Sequence, residues 1–207
     1  MFIETPANKN SLANRTLLFG VGINDAPYKT HYIDSNGKKT RCPYYVAWSN
    51  MLKRCYCKKS LENNKTYALC FVDEEWHTFS TFKKWMSTQD WKGKYLDKDI
   101  LERGNKIYSK KSCIFITNKV NTFLAYDLKT RGAYPQGVCF HNQVNKFISR
   151  CKVDGVWRSL GCYKTPEEAS AAYKQFKSKH ILEVAEEYKN EPRLYEALKN
   201  HSRMMLL

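Results

Sequence analysis

Hydrophobic positions along this chain change their period about two-thirds of the way through. Before residue 125 they recur at intervals of three and four in two stretches. In "YYVAWSNMLKRCY", Tyr45, Trp48, Leu52 and Cys55 fall on one face of a helix. In "EEWHTFSTFKKWM", Phe79, Phe82, Trp85 and Met86 do the same, and Thr78 is placed to cap that helix. "TYALCFV" and "KIYSKKSCIFIT" are short β-like runs, and "NKVNTFLAYDL" is a brief helical one. After residue 137 the period falls to two. Phe147, Ser149, Cys151 and Val153 alternate with Lys146, Ile148, Arg150 and Lys152, which predicts a strand with one packing face and one basic face. "VWRSLGCY" is the returning strand, joined through Asp154-Gly155, a hairpin-turn signal.

Turn and cap residues divide the chain further. Asn36-Gly37 suits a two-residue turn between "THYI" and "KKTRC". "KTRGAYPQG" holds two glycines and a proline and reads as a linker. "KTPEEASAAYKQFKSKH" carries a full helix-start signal, with Thr165 at the N-cap, Pro166 first in the helix and Glu168 completing a capping box. Its apolar face is Ala169, Ala172, Tyr173 and Phe176, and "EPRLYEALKNH" predicts a last short helix. The resulting division is a polar hairpin segment over 1–41, one domain over 42–128, a linker over 129–136 and a second domain over 137–207. The class is α+β.

Charge narrows the partner. Thirty-five Lys and Arg against 20 Asp and Glu give a formal net charge of +15. A protein this basic meets polyanions, since each cation set on a phosphate releases condensed counterions. Nucleic acid leads, and an anionic membrane surface comes second. No apolar run approaches the roughly 20 residues of a membrane span. No secretory signal is visible at "MFIETPANKN", so the expected location is the cytosol, with the eight cysteines as reduced thiols.

The last third of the chain resembles the AP2 DNA-binding domain. Gly137-Val138, Leu160-Gly161-Cys162-Tyr163, Thr165 to Ala169 and Ala172-Tyr173 carry the likeness, in the family's order. The resemblance implies a three-stranded antiparallel sheet packed on a helix, with double-stranded DNA held on the open face. The residues on that face are His141, Lys146, Arg150, Lys152, Trp157 and Ser159. The family has Arg after its Gly-Val pair where this chain has Cys139, which bears on base specificity. RNA recognition by base stacking would call for a pair of exposed aromatics that the sheet lacks.

Residues 42–124 resemble phage HNH-type endonucleases of the homing kind, in which such a domain is often joined to an AP2 module. The likeness rests on Trp48, Met51, Arg54, Cys55, Tyr56, Cys70, Glu75, Trp76, Phe79, Phe82, Trp85 and the stretch from Leu96 to Phe115, "LDKDILERGNKIYSKKSCIF". It implies a ββα-metal domain. Asp97 matches the first metal ligand and Asn121 the last. Lys98 stands where the family has its histidine, and Ser112 where it has a structural Asn. The implied centre holds Mg²⁺ or Mn²⁺ on Asp97, Asp99 and Asn121, with Lys98 on a phosphate oxygen and His77 or bound water as base. The implied function is a metal-dependent DNA endonuclease or nickase with a degenerate site. The alternative is a catalytically inactive DNA-binding or regulatory protein. Cys42, Cys55, Cys70 and Cys113 could make a thiolate site, but their spacing lacks the C-x-x-C knuckle, so structural zinc is not expected.

Overall fold

Trp48 is where the first half of the chain converges. Its ring is wholly buried, and its indole N–H donates to the Trp76 carbonyl at 2.7 Å. The computed structural model describes residues 2–33, 36–124 and 133–207. The helix bearing Trp48 is α2, Pro43–Tyr56, which follows the short helix α1, Lys9–Ala13, and the hairpin strands β1, His31–Ile33, and β2, Lys39–Arg41. It buries Trp48, Met51, Leu52 and Cys55; of the predicted stripe Tyr45 is only half-buried, and Met51 is added. Helix α3, Lys58–Asn63, leads to β3, Phe71–Val72, and a 3₁₀ turn over Glu74–His77 brings Trp76 inward. Helix α4, Phe79–Ser87, supplies Phe79, Phe82 and Met86 to the core. Trp85 lies between Trp76, 4.4 Å away by ring centroids, and Phe115, at 5.7 Å.

Helix α4 is capped from a distance. Thr78 makes no side-chain cap bond. The carboxylate of Asp25 instead accepts from the Ser80 N–H at 2.9 Å. That corrects the local reading. Ile23 pairs alongside Thr78, its N–H bonded to the His77 carbonyl and its own carbonyl to the Phe79 N–H, and this brings Asp25 to the helix start.

Three short strands complete this part: β4, Tyr95–Asp97; β5, Ile107–Tyr108; and β6, Ile114–Ile116. Strand β3 pairs parallel with β5, and β4 pairs antiparallel with β6, with Asp97 opposite Ile114. Helix α5, Asn118–Leu124, follows β6 directly, so the order strand, loop, strand, helix is present around Asp97.

The first 41 residues are not a separate segment. Ala26 and Tyr28 belong to the same buried cluster as Trp48 and Trp76, and Phe2 and Leu18 pack against it. Arg15 ties them down by donating to the carbonyls of Asn24, Ala26 and Tyr28 at 2.8, 2.6 and 3.1 Å. The hairpin also differs from expectation. Ile33 pairs with Lys39, so residues 34–38 lie between the strands where a two-residue turn was expected.

The chain divides into two compact units, 1–123 and 124–207. The expected linker over 129–136 lies partly outside the described residues. Of its described part, Tyr134 packs edge-on against Phe147 at 5.1 Å, so that end belongs to the second unit. That unit opens with a three-stranded antiparallel sheet in the order β7, Val138–His141; β8, Lys146–Val153; β9, Val156–Tyr163. Asp154 and Gly155 both have positive φ, 49° and 83°, and close a two-residue loop between Val153 and Val156, as predicted.

Helix α6, Pro166–Glu186, starts on the predicted capping box, with Thr165 accepting from the Glu168 N–H at 3.2 Å. It runs past the expected end because Ile181, Val184 and Ala185 extend its buried side. There it packs on α7, Pro192–Leu206, which buries Leu194, Ala197 and Leu198. The hydroxyls of Ser178 and Ser202 meet between them at 2.8 Å.

Gly137 and Tyr173 meet where α6 packs on the sheet. Gly137 has φ 79°, and a Cβ built there would come 2.0 Å from the Tyr173 ring. Tyr173 can occupy that place only because the side chain is missing. We expect Gly137→Ala to cost more than about 1 kcal/mol, since both the backbone and the space forbid it. Thermal unfolding of the full chain checks this. In a double mutant with Tyr173→Ala the two losses should add to less than their sum. Strict additivity would show that the contact is not what Gly137 protects.

Candidate nucleic-acid interface

Strand register decides which side chains of the second unit share a face. On β8, Ser149, Cys151 and Val153 are buried, and Lys146, Arg150 and Lys152 are exposed. Arg150 lies opposite Ser159, Lys152 opposite Trp157, and Lys146 opposite His141. Directly paired residues point to the same side of a sheet. All six predicted DNA-contacting residues therefore lie on one face.

A bulge decides what else shares that face. The register shifts between Ser149 and Arg150, so Leu160 is an extra residue on β9 and Gly161 takes φ 130°. Without it, strict alternation would put Tyr163 on the same side as Trp157 and Ser159. With it, Tyr163 pairs with Phe147, and its hydroxyl donates back to the Leu160 carbonyl at 2.9 Å. The basic face keeps Trp157 and loses a second aromatic. The shift also brings the exposed Cys162 onto the basic face, opposite Ile148. Alternation alone missed Cys162, and Gly161 was the one local sign of a break.

The face is positive and uncompensated. Between Gly137 and Tyr163 the sequence has Lys146, Arg150, Lys152 and Arg158 against Asp154 alone, and Asp154 is in the turn. Among the described residues none of Lys146, Arg150 and Lys152 meets a carboxylate. The Arg150 guanidinium lies 4.8 Å over the Trp157 ring, which is more than half exposed. Such a contact contributes roughly 0.5–1 kcal/mol at an open site and fixes the plane of the arginine fork. His141 has its Nδ1 shielded from solvent and without a hydrogen-bond partner among the described residues.

In the first unit, "LDKD" forms a tight turn after β4. Asp97 Oδ1 accepts from the N–H groups of Asp99, at 3.0 Å, and Ile100, at 2.8 Å. Lys98 points inward. It is 6% exposed, and its ammonium donates to the Asn105 carbonyl at 3.0 Å and to Asp99 Oδ2 at 3.2 Å, with the Tyr108 ring 5.8 Å away. Asn105 returns the contact, its amide donating to the carbonyls of Lys98 and Ile107, each at 2.7 Å. Ser112 donates to the Ile107 carbonyl at 2.6 Å and bonds Ser109 at 2.9 Å. The "GNKIYS" stretch that drew the family likeness is thus the far wall of a brace around Lys98. Arg54 lies close enough to Tyr108 and to Asp97 for its charge to act on both.

Several of the donors expected to hold Mg²⁺ or Mn²⁺ are engaged within the turn itself. The donors to such an ion must converge on one point. One Asp97 oxygen is already shared by two backbone N–H groups, and Asp99 already holds the Lys98 ammonium. Asn121 is exposed on α5. Among the described residues, no three His, Cys, Asp or Glu side chains gather as metal ligands. Lys98, expected on a phosphate oxygen, has its ammonium turned into the protein. His77, expected as a base, has Nε2 at 3.1 Å from the Val72 carbonyl and 3.3 Å from the Tyr56 hydroxyl, with no bond to Asp97. Cys42, Cys55, Cys70 and Cys113 are all buried free thiols, and burial raises those of Cys55 and Cys113 to about 12.

Comparison with known protein families, with curated proteins and with solved structures finds no match to this chain.

Burial, and then the neighbouring Asp99 charge, raise the Asp97 pKa above its ordinary value. An acid so shifted costs stability once pH climbs past its unfolded-state pKa, and the cost is complete above the folded one. Asp97→Asn keeps the turn's acceptor and removes the charge. At pH 7 it should melt at or above the wild-type temperature, with any advantage gone below about pH 4. Asp97→Ala removes the acceptor and should cost about 0.5–2 kcal/mol, as a lost cap does. A thermal-unfolding series from pH 4 to 8 measures both, and an Asp97→Asn protein much less stable at pH 7 would contradict the brace.

Proposed function

We propose that this protein binds double-stranded DNA, with the open face of the β7–β9 sheet set in the major groove. The observation that carries this is the register that collects His141, Lys146, Arg150, Lys152, Trp157 and Ser159 on one face. From Lys146 to Lys152 that face runs roughly 20 Å, and three strands span about 10 Å across. The B-DNA major groove is about 12 Å wide and admits β-strands. The deep, narrow major groove of RNA does not. Lys146 and Lys152 suit phosphates on either side of the groove. Arg150, its plane held by Trp157, suits either a phosphate or the paired acceptors of a guanine edge. The resemblance to AP2 domains agrees with this use of the face.

The same proposal assigns the "LDKD" turn a structural role. A buried ammonium spent on a backbone carbonyl and on Asp99 braces the loop between β4 and β6, and it is not free to meet a phosphate. The protein then acts by occupying DNA, as a regulatory or site-marking factor. The strand, loop, strand, helix order around Asp97, and the HNH-type likeness of the residues there, fit a nuclease scaffold turned to binding.

Two measurements on the full chain test this. In fluorescence anisotropy with a duplex, affinity should fall steeply with salt. Arg150→Ala and Lys152→Ala should each weaken binding by about tenfold and lower the log–log salt slope by about 1. Lys189→Ala, outside the sheet, should change neither. Absence of binding at low salt would end the proposal. Supercoiled plasmid incubated with the protein in Mg²⁺ or Mn²⁺ should stay supercoiled. Nicking that disappears in Asp97→Asn would instead establish a cutting centre at the turn.

A further inference from the structure

The first unit has a basic cleft that plays no part in the reading above. It lies between the β1–β2 hairpin and α2 and has a volume of about 570 Å³, well within the range of ligand sites. Lys29, His31, Lys39 and Arg41 line it, together with Arg15, and no Asp or Glu does. Register explains the grouping. His31 stands opposite Arg41, and Lys39 is two residues back on the same strand, so the three share one face of the hairpin. Tyr32 and Thr40 take the other face, where Tyr32 packs on Phe2 at 5.4 Å. Ser49 and Asn50 of α2 add neutral polar groups to the opposite wall.

Two features mark this as more than a solvated charge run. Among the described residues, Lys29, Lys39 and Arg41 form no ion pair. Arg15 spends its donors on three backbone carbonyls, so it shapes the wall while its charge stays uncancelled. The His31 pKa is lowered by burial first and then by Lys39 and Arg41, which places two cations against that ring with no anion to offset them. A concave surface focuses such a field and concentrates anions.

We propose that this cleft takes a phosphate group of a nucleic-acid strand, as a second contact site separate from the sheet face. Lys39 and Arg41 supply the charge, Lys29 closes the other side, and His31, Ser49 and Asn50 offer hydrogen bonds to the phosphate oxygens. It rests on the duplex-DNA reading only for the identity of the polyanion. A free phosphate would use the same chemistry, and the test separates the two sources.

The full chain is titrated separately with a DNA duplex and with inorganic phosphate at matched ionic strength, while the His31 ring signals are followed by NMR. The expected result is saturable movement of His31 with DNA at micromolar concentrations, and with phosphate only at millimolar ones. Phosphate moving His31 while DNA leaves it unmoved would overturn the nucleic-acid source. Neither ligand moving it would overturn the site. In anisotropy, Lys39→Gln with Arg41→Gln should weaken DNA binding about tenfold or more and lower the salt slope by about 2, additively with Arg150→Ala. These strand positions are exposed, and an unchanged melting temperature will show that the fold is kept. If the cleft pair has no effect while Arg150→Ala weakens binding, the cleft fails and the sheet reading stands. If only the cleft pair matters, the sheet reading fails and the cleft stands.

Discussion

With 35 lysines and arginines against 20 carboxylates, this fold must seat cations that have no counter-charge to meet. It does so by giving the inward-turned ones neutral or shared acceptors. Arg15 is held by three backbone carbonyls. Lys98 has the Asn105 carbonyl and half of a contact with Asp99. Arg54 has the Tyr67 ring 5.9 Å away and Tyr108 close by. A charge taken out of water must be paired or hydrogen-bonded, and carbonyl dipoles meet that need without cancelling the charge. The positive field therefore survives burial, and the cations that stay outside add to it. Arg15 lends its field to the β1–β2 cleft in this way, while the β7–β9 face owes its charge to cations that stay outside.

The two surfaces are built by the same device. On the β1–β2 hairpin and on the β7–β9 sheet, a strand puts its cations on one side and its packing residues on the other. Pairing with the next strand then lines up further groups beside them. In the second unit the device needs a correction at Leu160-Gly161, because a strand of strict alternation would have turned Tyr163 outward. The extra residue lets β9 serve Trp157 and Ser159 to the basic face and Tyr163 to the packed one. Beneath, Gly137 leaves the space in which Tyr173 lies, so the helix side and the open side of the sheet are set by neighbouring glycines in different ways.

At the "LDKD" turn, residues that carry a likeness in sequence are also held in a local run of hydrogen bonds. Asp97, Lys98, Asn105 and Ser112 are joined through one run of hydrogen bonds that holds the turn. The same residue types at the same spacing would be needed whether the loop framed a metal centre or only held its shape. What separates the cases is direction. A lysine aimed outward could meet a phosphate, and this one is aimed at a carbonyl.

Local patterns were enough to place much of this molecule. The alternation in β8, the Asp154-Gly155 turn, the Thr165–Glu168 capping box and the Trp48–Leu52 stripe each depend on residues a few positions apart. Their conformational preferences act before any tertiary contact forms, so the sequence by itself determined those elements, the α+β class and the basic open face. It could not determine what depends on distant partners. Asp25 caps a helix 55 residues away, Ala26 and Tyr28 join the core of Trp48, and α6 lengthens because α7 covers its end. The direction of Lys98 and the assembly of the hairpin cleft belong to the same group. Each is set by packing between segments far apart in the chain, where burial outweighs local preference, and only the tertiary structure could decide them.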